Sequence, residues 1–251
     1  MWPRVQDQRP FVAAMAGLVA LSWVSLWSFG RSPYAHLVHA HGAGHGLGTV
    51  YLSIAGWTLM IVAMMLPTTL PLVALFHSFV RTRAKRARLT SALVAGYLWI
   101  WTLFGLVVYA GSHVVLGLID EIAWLEANAW IIGAGVLAAA GVYQFSALKH
   151  KCLEKCRSPV SFIMEHWHGE REKQDAFHLG IRHGVFCIGC CWSLMLLMFL
   201  VSTGSLTWML ALASVMAVEK NARWGHVLTV PVGVLLIASA GVVVATGPAW
   251  T

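Results

Sequence analysis

Gly184-Val185-Phe186-Cys187-Ile188-Gly189-Cys190-Cys191-Trp192-Ser193-Leu194-Met195-Leu196-Leu197-Met198-Phe199-Leu200-Val201-Ser202 runs without one charged side chain. An uncharged stretch of this length reads as a helix that crosses a lipid bilayer. It nevertheless carries three of the chain's five cysteines. His183 stands just ahead of it, one helical turn before Cys187. At about 100° per residue, Cys187, Cys191, Met195 and Met198 fall within about 80° of one another on one face. Thiolates, thioethers and an imidazole in such a row suit a soft metal ion such as Cu(I). Cysteine and methionine are also ordinary packing residues. Three cysteines clustered beside His183 favour a site over packing. Cys190 and Cys191 diverge by about 100°, so Cys187 with Cys191 and Cys187 with Cys190 are the easy pairs.

The rest of the chain extends this reading. Of 251 residues, 59% are hydrophobic and 11% charged, with a mean hydropathy of +0.72. That composition predicts an all-α, polytopic transmembrane helix bundle and excludes a soluble domain. Seven spans are expected, at about 11–29, 50–80, 89–118, 129–148, 184–202, 206–218 and 226–246. Together they form a single integral membrane domain over 1–251. The second and third exceed the ~20 residues needed to cross, so they are expected to tilt or protrude. The sixth is the shortest, with a re-entrant segment as its alternative. The first has Arg4 and Arg9 before it and no clear cleavage site after it, so it reads as an uncleaved helix.

A net charge of +7 would suggest nucleic acid only if its placement were ignored. With the N-terminus inside, 16 of the 17 basic residues fall on the inner side, and only Arg31 lies outside. The outer loop after the third span carries Asp120, Glu121 and Glu126 instead. The positive-inside rule then predicts a multi-pass inner-membrane protein with its N-terminus cytoplasmic and its C-terminus periplasmic. The longest polar stretch, 149–182, is inner and is expected to hold a surface amphipathic helix over 163–177.

Further groups join the first. Cys152-Leu153-Glu154-Lys155-Cys156 places two thiols on one helical face just past the fourth span. Both cysteine groups fall on the inner side, so they are expected to share one site, with Glu219 within reach. Starting the fifth span at Gly184 puts its cysteines near a helix N-terminus, which favours thiolates. Met60, Met64 and Met65 lie in the second span beside Pro67 and Pro71, where proline frees carbonyls and bends the helix. His36, His39, His41 and His45 are interleaved with glycines in the first outer loop, which looks like a flexible collector of borderline metals. Glu219-Lys220 closes the sixth span, where charge is either functional or an interfacial snorkelling pair.

Four of these pieces occur in order: Ala63 to Pro67, Tyr143-Gln144 with Lys149 and Cys152 to Cys156, His183-Gly184 through Trp192 to Leu194-Met195, and Glu219-Lys220. In this the chain resembles a family of bacterial predicted metal-binding integral membrane proteins over nearly its whole length. The resemblance points to Met64, Met65, Cys152, Cys156, Cys187, Cys190, Cys191 and Glu219. It supplies no reaction, and the histidine-rich loop is not part of it.

Two functions fit. The first is handling of a transition metal, copper foremost with zinc or iron as alternatives. The outer histidines would collect the ion, and the methionines and cysteines would hold it or pass it inward. The second is a metal-dependent membrane oxidoreductase or a thiol redox enzyme. All five cysteines map to the reducing cytoplasmic side, which weighs against outward disulfide formation. The expected partners are the lipid bilayer, the metal ion and a metallochaperone or membrane-complex protein, with no nucleic acid.

Overall fold

Pro67 lacks the N–H that would carry a helix through Leu66, and its ring crowds the carbonyl of the preceding turn. The second apolar stretch is therefore broken rather than simply tilted. The computed structural model describes residues 9–31, 47–128, 130–200 and 205–247. Among them all regular structure is helical. After α1 (Arg9–Gly30), α2 (Leu47–Met64) and α3 (Leu66–Phe79) meet at a 65° bend. Side chains serve carbonyls at the break. The Ala63 carbonyl, which Pro67 cannot serve, accepts from Trp23 Nε1 at 3.1 Å. The Met65 carbonyl accepts from the Thr68 and Thr69 hydroxyls, each at 2.8 Å.

The chain continues as α4 (Arg86–Glu121), the short α5 (Ala123–Ala127) and α6 (Trp130–Tyr143). The expected fourth span stops at Tyr143 and turns by 62° into α7 (Ala147–Arg157). Ser146 caps that second helix by accepting from the Lys149 N–H at 3.1 Å. Cys152 and Cys156 thus lie on a helix of their own.

Two expectations fail between residues 158 and 184. The surface helix over 163–177 does not form. Instead α8 (Pro159–His166) ends early, with Phe162 and Ile163 buried. The next helix, α9 (Glu172–Leu200), starts twelve residues before Gly184. Glu172 and Asp175 in its first turn suit the positive end of the helix dipole. Ala176 and Leu179 are fully buried. Gly180 and Gly96 let α9 and α4 cross closely: a Cβ on Gly180 would fall on the Leu93 carbonyl, and one on Gly96 on the Phe177 carbonyl.

After α9 come α10 (Leu206–Asn221), a 3-10 turn (Gly225–Leu228) and α11 (Thr229–Thr246). Four described helices are long and apolar enough to cross a bilayer: α1, α4, α9 and the last, taken as Gly225–Thr246. Each bent pair qualifies only as a pair, which raises the total to six at most. The expected sixth span, α10, has 16 residues and falls short of that length.

Two apolar clusters hold the helices together. One joins Leu72, Phe76, Leu93, Phe162 and Leu179 from α3, α4, α8 and α9. The other gathers Trp57, Tyr97, Trp101, four of the five cysteines and seven of the ten methionines. Three polar segments lie together at one end. Arg83 pairs with Glu172 at 2.6 Å, and Arg157 donates to the carbonyls of Glu219 and, at 2.9 Å, Arg223. The 80–85 turn, the α7–α9 region and the end of α10 therefore share that end.

Candidate metal centre

On α9, Cys187 and Cys191 stack one turn apart, and both face the kink between α2 and α3. The kink turns Met65 inward, where it is fully buried. Its Sδ lies 3.7 Å from Cys191 Sγ. Lys220, near the end of α10, enters the same space from the other side. Its ammonium lies 2.9 Å from Cys187 Sγ, 3.7 Å from Met65 Sδ and 3.8 Å from Cys191 Sγ. Thr68 Oγ1 accepts from it at 3.3 Å. The Tyr97 hydroxyl on α4 is 3.1 Å from Cys187 Sγ. Three sulfurs thus surround the Lys220 ammonium in a buried core.

The neighbouring thiol points elsewhere. Cys190 Sγ lies 3.9 Å from Cys156 Sγ on α7. The thiols of Cys190 and Cys191 both donate to the Cys187 carbonyl, at 3.1 and 2.9 Å. Cys152 packs where α7 presses on α9: a Cβ on Gly189 would lie 2.5 Å from its sulfur. The Tyr143 hydroxyl donates to the Gly189 carbonyl and fixes α6 to the same turn. The 62° bend after α6 is what carries Cys156 to Cys190.

A charged pair lies beside the thiols. The Lys149 ammonium donates to both Glu219 carboxylate oxygens, at 2.8 and 3.1 Å, and to Gln144 Oε1. Lys149 and Glu219 are almost wholly buried, so each charge needs the other. Glu219 thus faces Lys149, and the residue aimed at the sulfurs is its neighbour Lys220.

The remaining sequence candidates divide. Met60, Met64 and Met195 are buried in the cluster that holds the cysteines. His183 is buried one turn before Cys187, its ring 5.9 Å from that of Tyr97, and its Nδ1 has no hydrogen-bond partner among the described residues. His36, His39, His41 and His45 lie outside the described residues. The helix-end argument for thiolates fails, because Cys187 is about four turns inside α9 and a helix dipole acts within the first turn. Lys220, Tyr97 and Thr68 were not among the sequence-derived ligands. Lys220 carried a signal, since an ionisable side chain in an apolar helix calls for a partner. Among the described residues no three His, Cys, Asp or Glu side chains converge as a tetrahedral nitrogen–sulfur site requires.

A family model described as PpoB2, copper chaperone, matches residues 54–243. The matched segment includes every cysteine, Met60 to Met65 and Lys220, and begins after the histidine-rich loop. No curated protein and no solved structure matches the chain.

Proposed function

The chain belongs to the PpoB2 family of copper chaperones, and from that premise we propose that it is a membrane-embedded carrier of Cu(I). Copper is its cargo, held by Cys187, Cys191 and Met65 and passed to a protein acceptor. The observation that carries this reading is the Lys220 ammonium at the focus of the three sulfurs. Two thiolates and one Cu(I) leave one net negative charge, and a buried core disfavours it unless it is offset. Lys220 supplies the offset.

The donor set favours copper over zinc or iron. Two thiolates and a thioether suit a soft, closed-shell ion in a linear or trigonal setting. Zinc wants four nitrogen, sulfur or carboxylate ligands. The sequence-level alternative, a metal-dependent oxidoreductase or thiol redox enzyme, has no comparable observation in its favour.

The carrier sits in the bacterial inner membrane with a cytoplasmic N-terminus and a periplasmic C-terminus. The one-sided distribution of basic residues supports this, as does the gathering of three basic connections at one end of the bundle.

The test is copper content. Full-length protein in detergent, loaded anaerobically with Cu(I) and washed, should retain stoichiometric metal. The Cys187→Ser/Cys190→Ser/Cys191→Ser variant should insert but retain none. Equal retention in the two proteins would reduce the cluster to packing.

A further inference from the structure

We propose that Cys190 and Cys156 form an exit port, a second sulfur pair through which copper leaves the holding site. The proposal rests on the carrier function above and goes beyond it by assigning the route out.

Adjacent residues on a helix diverge by about 100°, so one turn of α9 can serve two directions. Cys191 turns to Met65 at the kink, 3.7 Å away. Cys190 turns to Cys156 on α7, 3.9 Å away. Cys187 lies three and four positions before them on the same helix, so its side chain neighbours both, and its carbonyl accepts from both thiols. The two sulfur pairs are thus consecutive stations.

Burial sets the direction. Cys187, Cys190 and Cys191 are each 1% exposed and Met65 is 0% exposed. Cys156 is only half-buried, the least enclosed of the five cysteines. Its helix neighbour Arg157 reaches the end of α10 and the connection after it, so Cys156 lies next to the polar connections of the bundle. The position of α7 is fixed by Arg157, which grips the carbonyls of Glu219 and Arg223, and by Cys152 against Gly189. Those contacts hold Cys156 opposite Cys190.

Transfer is ligand exchange without electron transfer. The metal stays Cu(I) throughout. A Cys190–copper bond forms as the Cys191–copper bond breaks and the neutral Met65 thioether lets go, and the proton leaving the Cys190 thiol is taken by the departing Cys191 thiolate. Cys156 then replaces Cys187 in the same way. Finally the sulfur ligands of the acceptor displace Cys156 and Cys190 and give up their protons to them. Like ligands replace like, so no single step is steeply uphill.

The experiment uses full-length, Cu(I)-loaded protein in detergent and follows extraction by bathocuproine disulfonate under anaerobic conditions. Cys156→Ser leaves Cys187, Cys191 and Met65 untouched, so it should load fully yet release copper roughly ten-fold more slowly than wild type, an effect on the off-rate. Cys156→Met restores a soft ligand and should recover most of the rate. Matching elution and thermal unfolding establish that the variants are folded. Wild-type release from Cys156→Ser would overturn the port alone. Loss of copper loading in Cys156→Ser would also overturn it, by making Cys156 a holding ligand. Wild-type protein that takes up no Cu(I) would overturn the holding site and the port together.

Discussion

The Lys220 ammonium lies 2.9 Å from Cys187 Sγ, which ties the end of α10 to the middle of α9 inside the buried core. Lys220 is 6% exposed, so its charge acts with little solvent screening. Replacing it with an apolar residue should weaken Cu(I) binding. We expect Lys220→Leu to lose at least about ten-fold in affinity, roughly 1.4 kcal/mol, in competition with bicinchoninate. Lys220→Arg keeps the charge and should lose less. Wild-type affinity in Lys220→Leu would refute the counter-charge role.

The Lys149–Glu219 pair predicts a stability pattern. Removing one partner strands the other charge in the core, at a cost of about 3–5 kcal/mol. Lys149→Met should therefore lower the unfolding midpoint in detergent sharply. Lys149→Met/Glu219→Leu, which removes both charges, should recover most of that loss. A double variant as unstable as the single one would show that the pair is not what holds this region.

Gly189 tests the seating of α7 on α9. A Cβ there would lie 2.5 Å from Cys152 Sγ, and overpacking of this kind costs about 1–3 kcal/mol. Gly189→Ala should unfold at lower temperature. Gly189→Ala/Cys152→Ala, with the sulfur removed, should regain stability. Additive losses in the double variant would place the strain elsewhere.

The sequence carried the sulfur chemistry more plainly than the geometry. The stripe on α9 and the methionines beside Pro67 were both legible, because helical period and proline chemistry are local. Local reasoning also placed the two cysteine groups on one side of the chain. It could not pair Cys156 with Cys190, which depends on the 62° turn after Tyr143. The start of α9 is not legible because its first residues read as the end of a separate surface helix over 163–177, whereas tertiary contacts of Ala176 and Leu179 carry one helix from Glu172 through Gly184. The resemblance pointed to Glu219, whereas the side chain aimed at the sulfurs is that of Lys220. The deciding fact, that Lys149 occupies Glu219, joins residues far apart in sequence.

Topology is open to labelling. With a membrane-impermeant maleimide on intact cells and wild type as background, Glu121→Cys should react from outside. Arg83→Cys and Arg171→Cys should react only after permeabilisation. Reaction of Arg171→Cys in intact cells would overturn the proposed orientation.

The most direct measurement is copper K-edge X-ray absorption on the anaerobically loaded full chain. The account predicts a Cu(I) edge and a first shell of sulfur alone, with the sulfur signal reduced in Met65→Leu and absent in Cys187→Ser/Cys191→Ser. A shell dominated by nitrogen or oxygen, unchanged by those substitutions, would contradict it and move the site away from the sulfurs around Lys220.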